Sequence, residues 1–167
     1  MKKLLIALLS FALAQVSWGQ IVAFQGTLNG AQSATPSSAT GMLWGYVNLG
    51  TNFFSLDYMF TELLAPQTAA HVHLGAPGIN GPVVIGAPTF PLGSPIHYES
   101  FISDSVESAF LAGDLYLNVH SQLYPRGEIR GQLVPIPEPS TYAFWGAGLL
   151  GAGAILRRRL HRARAAA

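Results

Sequence analysis

The 167-residue sequence contains no cysteine. Disulfide staples are therefore excluded, and a fold exported from the cytosol must rely on its own core. Thiolate metal sites are excluded with them, so any metal centre must be built from imidazole and oxygen ligands. Positive charge is scarce in the middle of the chain. Seven of the nine Lys and Arg residues lie near the two ends. Between Gln20 and Pro135 only Arg126 and Arg130 stand against seven Asp and Glu, a formal charge of −5. An acidic segment without a basic stripe argues against nucleic acid as a partner. No apolar run reaches the roughly 20 residues of an ordinary bilayer-spanning helix. The G-x-S-x-G pattern of an esterase nucleophile is absent as well.

The two ends have their own character. Lys2 and Lys3 precede an apolar run, Leu4 to Ala14, and a short polar stretch. That order is a secretory signal peptide. Small residues suit cleavage after Ala14 or after Gly19, and Gly19 leaves the longer polar segment before the cut. The chain then divides into a signal peptide (1–19), a central domain (20–135) and a C-terminal segment (136–167). The last segment carries an uncharged run, Tyr142 to Leu156, followed by five arginines. Such a helix rises about 22 Å against about 30 Å of hydrocarbon, a gap that flanking residues and local thinning can close. Arg157, Arg158 and Arg159 would hold its far end on the cytoplasmic side. Gly146, Gly148 and Gly151 match a dinucleotide-binding glycine pattern, but no strand precedes them and no acidic residue follows, so a nucleotide site is rejected.

The order Pro137-Glu138-Pro139, apolar run, arginine cluster resembles the PEP-CTERM sorting signal of Gram-negative bacteria. The resemblance implies removal of the leader by signal peptidase and a transient inner-membrane intermediate held by the sorting helix. An exosortase would then cleave near the Pro-Glu-Pro motif, and the product would reach the cell surface or exopolysaccharide matrix. An ordinary single-span tail anchor is the alternative.

The centre reads as strands. IVAFQGTL, GMLWGYVNL and FFSLDYMFTEL are rich in aromatic and branched residues, and AHVHL, GPVVIGA, IHYESFI, DLYLNVHS and GEIRGQLV continue the pattern between Gly- and Pro-containing turns. This predicts an all-β fold, a single sandwich or barrel. SDSVESAFLAGD predicts one short helix, with Asp104 as its cap, Glu107 completing a capping box and Gly113 ending it. NGAQSATPSSATG reads as a flexible hairpin loop.

Strand alternation puts i and i+2 on one face. His71 and His73 then point the same way, as do Tyr116, Asn118 and His120, and Glu128, Arg130 and Gln132. If these strands are neighbours, His71, His73, Asn118, His120, Glu128 and Arg130 form one polar patch. AHVHLGAPGINGPVV, with LAGDLYLNVHSQLYPRGEIRGQL downstream, resembles the CHRD domain, a module known from the animal protein chordin and from microbial secreted proteins. The resemblance implies a β-sandwich, immunoglobulin-like or superoxide-dismutase-like, of poorly defined function.

Two chemistries are open for the patch. His71, His73 and His120 can hold copper or zinc, with Asn118 or Glu128 orienting a ring. The His-x-His strand resembles that of Cu/Zn superoxide dismutase, although no second histidine cluster is found for zinc. Alternatively the histidines, Asn118, Glu128 and Arg130 form a buried polar network, including a Glu128–Arg130 contact, that ties the strands together. The corresponding functions are a surface or matrix component binding polysaccharide or protein, and a metal enzyme of superoxide dismutase type.

Overall fold

A computed structural model describes residues 20–136. The segment 1–19 read as a signal peptide, Pro137-Glu138-Pro139, the run Tyr142 to Leu156 and Arg157, Arg158 and Arg159 lie outside the described residues. Among the described residues no helix is long and apolar enough to cross a membrane.

Among the described residues nine antiparallel strands form one curled sheet. They are β1 (Ile21–Asn29), β2 (Thr40–Asn48), β3 (Phe53–Thr61), β4 (Gln67–Leu74), β5 (Val83–Ile85), β6 (Ile96–Phe101), β7 (Leu115–Ser121), β8 (Ile129–Gln132) and β9 (Val134–Pro135). The spatial order is β5-β4-β7-β8-β1-β2-β3-β6, with β9 beside β1. The strands fall where the branched and aromatic runs predict them, and the fold is all-β and sandwich-like.

Alternation builds the interior. Val22, Phe24 and Leu28 of β1 point inward, with Leu43 and Val47 of β2 and Phe54 and Leu56 of β3. Ala70, Val72, Leu115, Leu117 and Val119 face them from β4 and β7. Phe24 stacks on Phe54 with centroids 5.6 Å apart and meets the edge of Phe110 at 5.5 Å. Burying each such ring contributes roughly 1.5–3 kcal/mol.

Phe110 comes from the one α-helix among the described residues, α1 (Asp104–Leu111), which thereby anchors to the core. Its cap differs from the expectation by one residue. Ser103 is the N-cap, and its Oγ accepts from the Val106 amide at 3.4 Å. Asp104 is the first helical residue, and its Oδ1 instead accepts from Asn52 Nδ2 at 2.6 Å. Glu107 then lies one place too far along for a capping box. Gly113 does turn the chain out at φ +78, as its lack of a Cβ allows.

The stretch read as a flexible loop is a fastened one. It begins with a 3-10 turn, Ala31–Ser33, and its Thr35 and Ser37 hydroxyls bond Glu128, the first to the backbone carbonyl and the second to the carboxylate.

β7 is buried along its whole length, on both faces. One face meets the apolar core. The other carries Tyr116, Asn118 and His120, at 1%, 5% and 8% exposure, so something must cover a face that is polar.

Candidate metal centre

The three strands of the polar face are neighbours. His71 of β4 lies opposite Asn118 of β7, which lies opposite Arg130 of β8. His73 lies opposite Tyr116, and Tyr116 opposite Gln132. His120 pairs with Ala69, which brings its ring beside His71. The patch therefore assembles as the alternation predicts, with Tyr116 and Gln132 as further members.

Glu128 leaves it. Its amide donates to the Val119 carbonyl at 2.7 Å, although the ladder pairs Val119 with Ile129. Two residues thus face one, as in a bulge, and the alternation breaks just before β8. Gly127, at φ +118 and packed against Asn118, makes this bend possible. The fully buried Glu128 carboxylate accepts from Ser37 Oγ and from the Leu64 amide, each at 2.7 Å. The expected Glu128–Arg130 contact is not made.

The cover is the loop Gly75 to Pro82. Arg130 donates to the Ala76 and Ile79 carbonyls at 3.0 and 2.9 Å and to Asn80 Oδ1 at 3.3 Å. Gln132 Nε2 donates to the Gly75 carbonyl at 2.8 Å. The Gly81 amide donates to the Tyr116 hydroxyl at 3.1 Å. Beneath the loop Arg130 lies 3.5 Å from the Tyr116 ring centroid, and Tyr116 stacks on His73 at 5.1 Å.

The three imidazoles converge, and their ligating nitrogens all lie within 4.8 Å of one another. Each ring is held by a backbone carbonyl. His71 Nε2 meets the Pro88 oxygen at 2.6 Å, His73 Nδ1 the Gly81 oxygen at 2.9 Å, and His120 Nδ1 the Pro125 oxygen at 3.0 Å. A carbonyl can only accept, so each of these nitrogens carries the proton. The other nitrogen of each ring is then a bare lone pair. Those are His71 Nδ1, His73 Nε2 and His120 Nε2. His71 Nδ1 and His120 Nε2 stand 3.2 Å apart, and His73 Nε2 is buried with no hydrogen-bond partner.

Three lone pairs gathered this closely repel unless a hydrogen-bond donor or a cation lies between them. A proton would join two rings and leave the third. Protonation is also opposed: burial, with the neighbouring imidazoles, pushes His120 down to about 4 and lowers His73. A metal ion satisfies all three. With bonds of about 2.0–2.1 Å, tetrahedral geometry places ligand nitrogens roughly 3.3 Å apart, close to the His71–His120 separation. Carbonyl acceptors on the remote N–H groups are the usual support of ligating histidines. Three protein nitrogens leave a fourth position for an exogenous ligand.

The CHRD domain family matches this chain over residues 24–133. The chain belongs to that family. Membership points to an extracellular module and assigns it no reaction. No curated protein and no solved structure matches the chain. In this CHRD domain the three histidines lie within the matched span, together with Asn118, Glu128 and Arg130.

Sequence reasoning missed the carbonyls of Gly81, Pro88 and Pro125, which decide the tautomers. Every residue has a carbonyl, so residue identity gives no signal for them. Tyr116 was legible as a member of the face, but its stacking on His73 was not.

Proposed function

We propose that this CHRD domain is an extracellular metal-binding module, holding one copper or zinc ion on His71, His73 and His120. The observation that carries the reading is the convergence of three bare, carbonyl-oriented nitrogens, one of them buried without a partner. The all-nitrogen donor set suits copper and zinc. Asn118 and Arg130 belong to the supporting frame: Asn118 Nδ2 holds the Arg126 carbonyl at 3.0 Å, and Arg130 holds the cover. Among the described residues these histidines are the one His/Asp/Glu group able to hold a metal. A copper–zinc pair of the superoxide dismutase kind has no second histidine set there.

The sorting-signal resemblance supports delivery by signal peptidase and exosortase to the cell surface or exopolysaccharide matrix. Intact-mass measurement on protein from the native host tests that part. A mature product still carrying Tyr142 to Ala167 would replace exosortase processing with a permanent anchor. For the metal, chelator-treated full-length protein is titrated with zinc and with copper. Uptake of one ion per chain, with a raised melting temperature, is expected. A chain that takes up neither would make the histidines structural.

A further inference from the structure

Charge, not spacing, separates the ions that the three histidines could hold. A trigonal ion with bonds of about 2.0 Å sets its ligand nitrogens roughly 3.5 Å apart, and a tetrahedral one roughly 3.3 Å. The His71–His120 separation of 3.2 Å lies near both. The three imidazoles are neutral donors, and no carboxylate joins their group. The loops whose carbonyls hold the rings, 75–82, 86–95 and 121–127, contain no Asp or Glu. Alternation would have put Glu128 on this face, but the bulge turns its carboxylate away to Ser37 and Leu64.

The frame supplies a cation instead. Arg130 is 2% exposed, makes no ion pair among the described residues and donates only to neutral oxygens. Its guanidinium carbon lies 3.5 Å from the Tyr116 ring centroid, and the same ring stacks on His73 at 5.1 Å. The charge therefore stands one aromatic ring from His73, no more than about 10 Å from its bare nitrogen. At that distance, with an effective dielectric of about 20, each unit of charge on a bound ion is opposed by about tenfold in affinity.

A dication meets this repulsion twice over, and its desolvation grows with the square of its charge. His73 and His120 are 9% and 8% exposed, so little water remains to offset either cost. Zinc also needs a fourth ligand from outside. The cuprous ion carries one charge, has a filled d shell and is complete with three nitrogens.

We propose that this site prefers the singly charged cuprous ion to cupric and zinc ions, and that Arg130, held over Tyr116 without a countercharge, sets the preference. The inference rests on the metal reading and narrows it to one ion.

The test is competitive titration of chelator-treated, full-length protein. Cuprous ion is added anaerobically against bicinchoninate, and cupric and zinc ions against chelators of known affinity. Cuprous ion should bind at least about a hundredfold more tightly than either dication. Arg130→Met should narrow the cuprous-to-cupric affinity ratio about tenfold. If Arg130 only held the cover, its loss would weaken both ions alike and leave the ratio unchanged. Asn80→Asp supplies a countercharge without removing an acceptor, since Asn80 Oδ1 already lies 3.3 Å from Arg130 Nη1. This exposed substitution should narrow the ratio at least about threefold, and it decides the role of Arg130 where Arg130→Met does not fold by circular dichroism. An unchanged ratio in Asn80→Asp would overturn that role. Cuprous binding no tighter than that of zinc or cupric ion would overturn the preference and leave the metal reading standing. Failure of all three ions to bind would overturn the metal reading and this inference with it.

Discussion

Two groups of histidine sit in opposite halves of the same curled sheet and behave as opposites. His71, His73 and His120 lie on β4 and β7, under a cover loop, with carbonyl oxygens behind each ring. His97 lies on β6, opposite Asp57 of β3, and is exposed. Its Nδ1 meets Asp57 at 2.8 Å and its Nε2 meets Glu99 at 3.3 Å. The hydrogen bond to Asp57, helped by Glu99, raises its pKa, whereas burial lowers those of His73 and His120. The imidazole is the same in both groups. Carboxylate neighbours favour its protonated form, and burial among carbonyl acceptors favours the neutral ring with one free lone pair.

The sharpest way to break this contrast is by metal content. His73→Ala and His120→Ala should each abolish copper or zinc uptake, while His97→Ala should bind as wild type does. Elemental analysis of purified, dialysed protein reads the difference. Equal loss in all three would mean that burial and tautomer do not select the site.

Acid should separate the groups next. In metal-free protein the folded His120 titrates at about 4 against 6.5 unfolded, so the unfolded chain binds more protons between those values. Its contribution is fully present above about pH 6.5 and is lost as pH falls toward 4, by up to about 3 kcal/mol. His97 runs the other way. Its ion pairs contribute below the unfolded value and are lost as pH rises through its raised pKa, with a small amplitude because the group is exposed. Denaturant melts of wild type, His120→Gln and His97→Ala across pH 4 to 8 compare the slopes. A flat acid limb in wild type would remove the buried-neutral account of His120.

A smaller effect tests how the polar groups around the buried cluster are divided. Glu128→Leu and Arg130→Met should each cost roughly 1–3 kcal/mol, because each leaves the groups that bonded the lost side chain unsatisfied. Their effects should add within about 0.5 kcal/mol, since the two side chains hold different loops. A large coupling in the double mutant would restore a direct pair.

The smallest effect is expected at the exposed helix start. Ser103→Ala should cost about 1 kcal/mol through the lost cap. Asp104→Ala should cost less, about 0.3–1 kcal/mol, through the favourable charge at the helix N-terminus. Matched denaturant midpoints for the two variants decide their order.

The alternation of β4 and β7 was enough to put His71 with His73 and His120 with Asn118, because a strand's two-residue period is local. Composition was enough to rule out thiolate ligands and a basic surface. The same local rule failed at Glu128, where one extra residue turns a side chain out of its expected row, and at Asp104, where the cap moved by one position. Both depend on which long-range partner is present: Ser37 and Leu64 for the carboxylate, Asn52 for the aspartate. The tautomers were also beyond reach of the chain's order. Pro88, Gly81 and Pro125 act through backbone oxygens, and only the fold decides where a carbonyl points. Residue types and short-range geometry thus put His71 with His73 on one face and His120 on the polar face of its own strand, whereas strand pairing brought the three imidazoles together and the packing of distant loops decided which nitrogen of each ring keeps its proton.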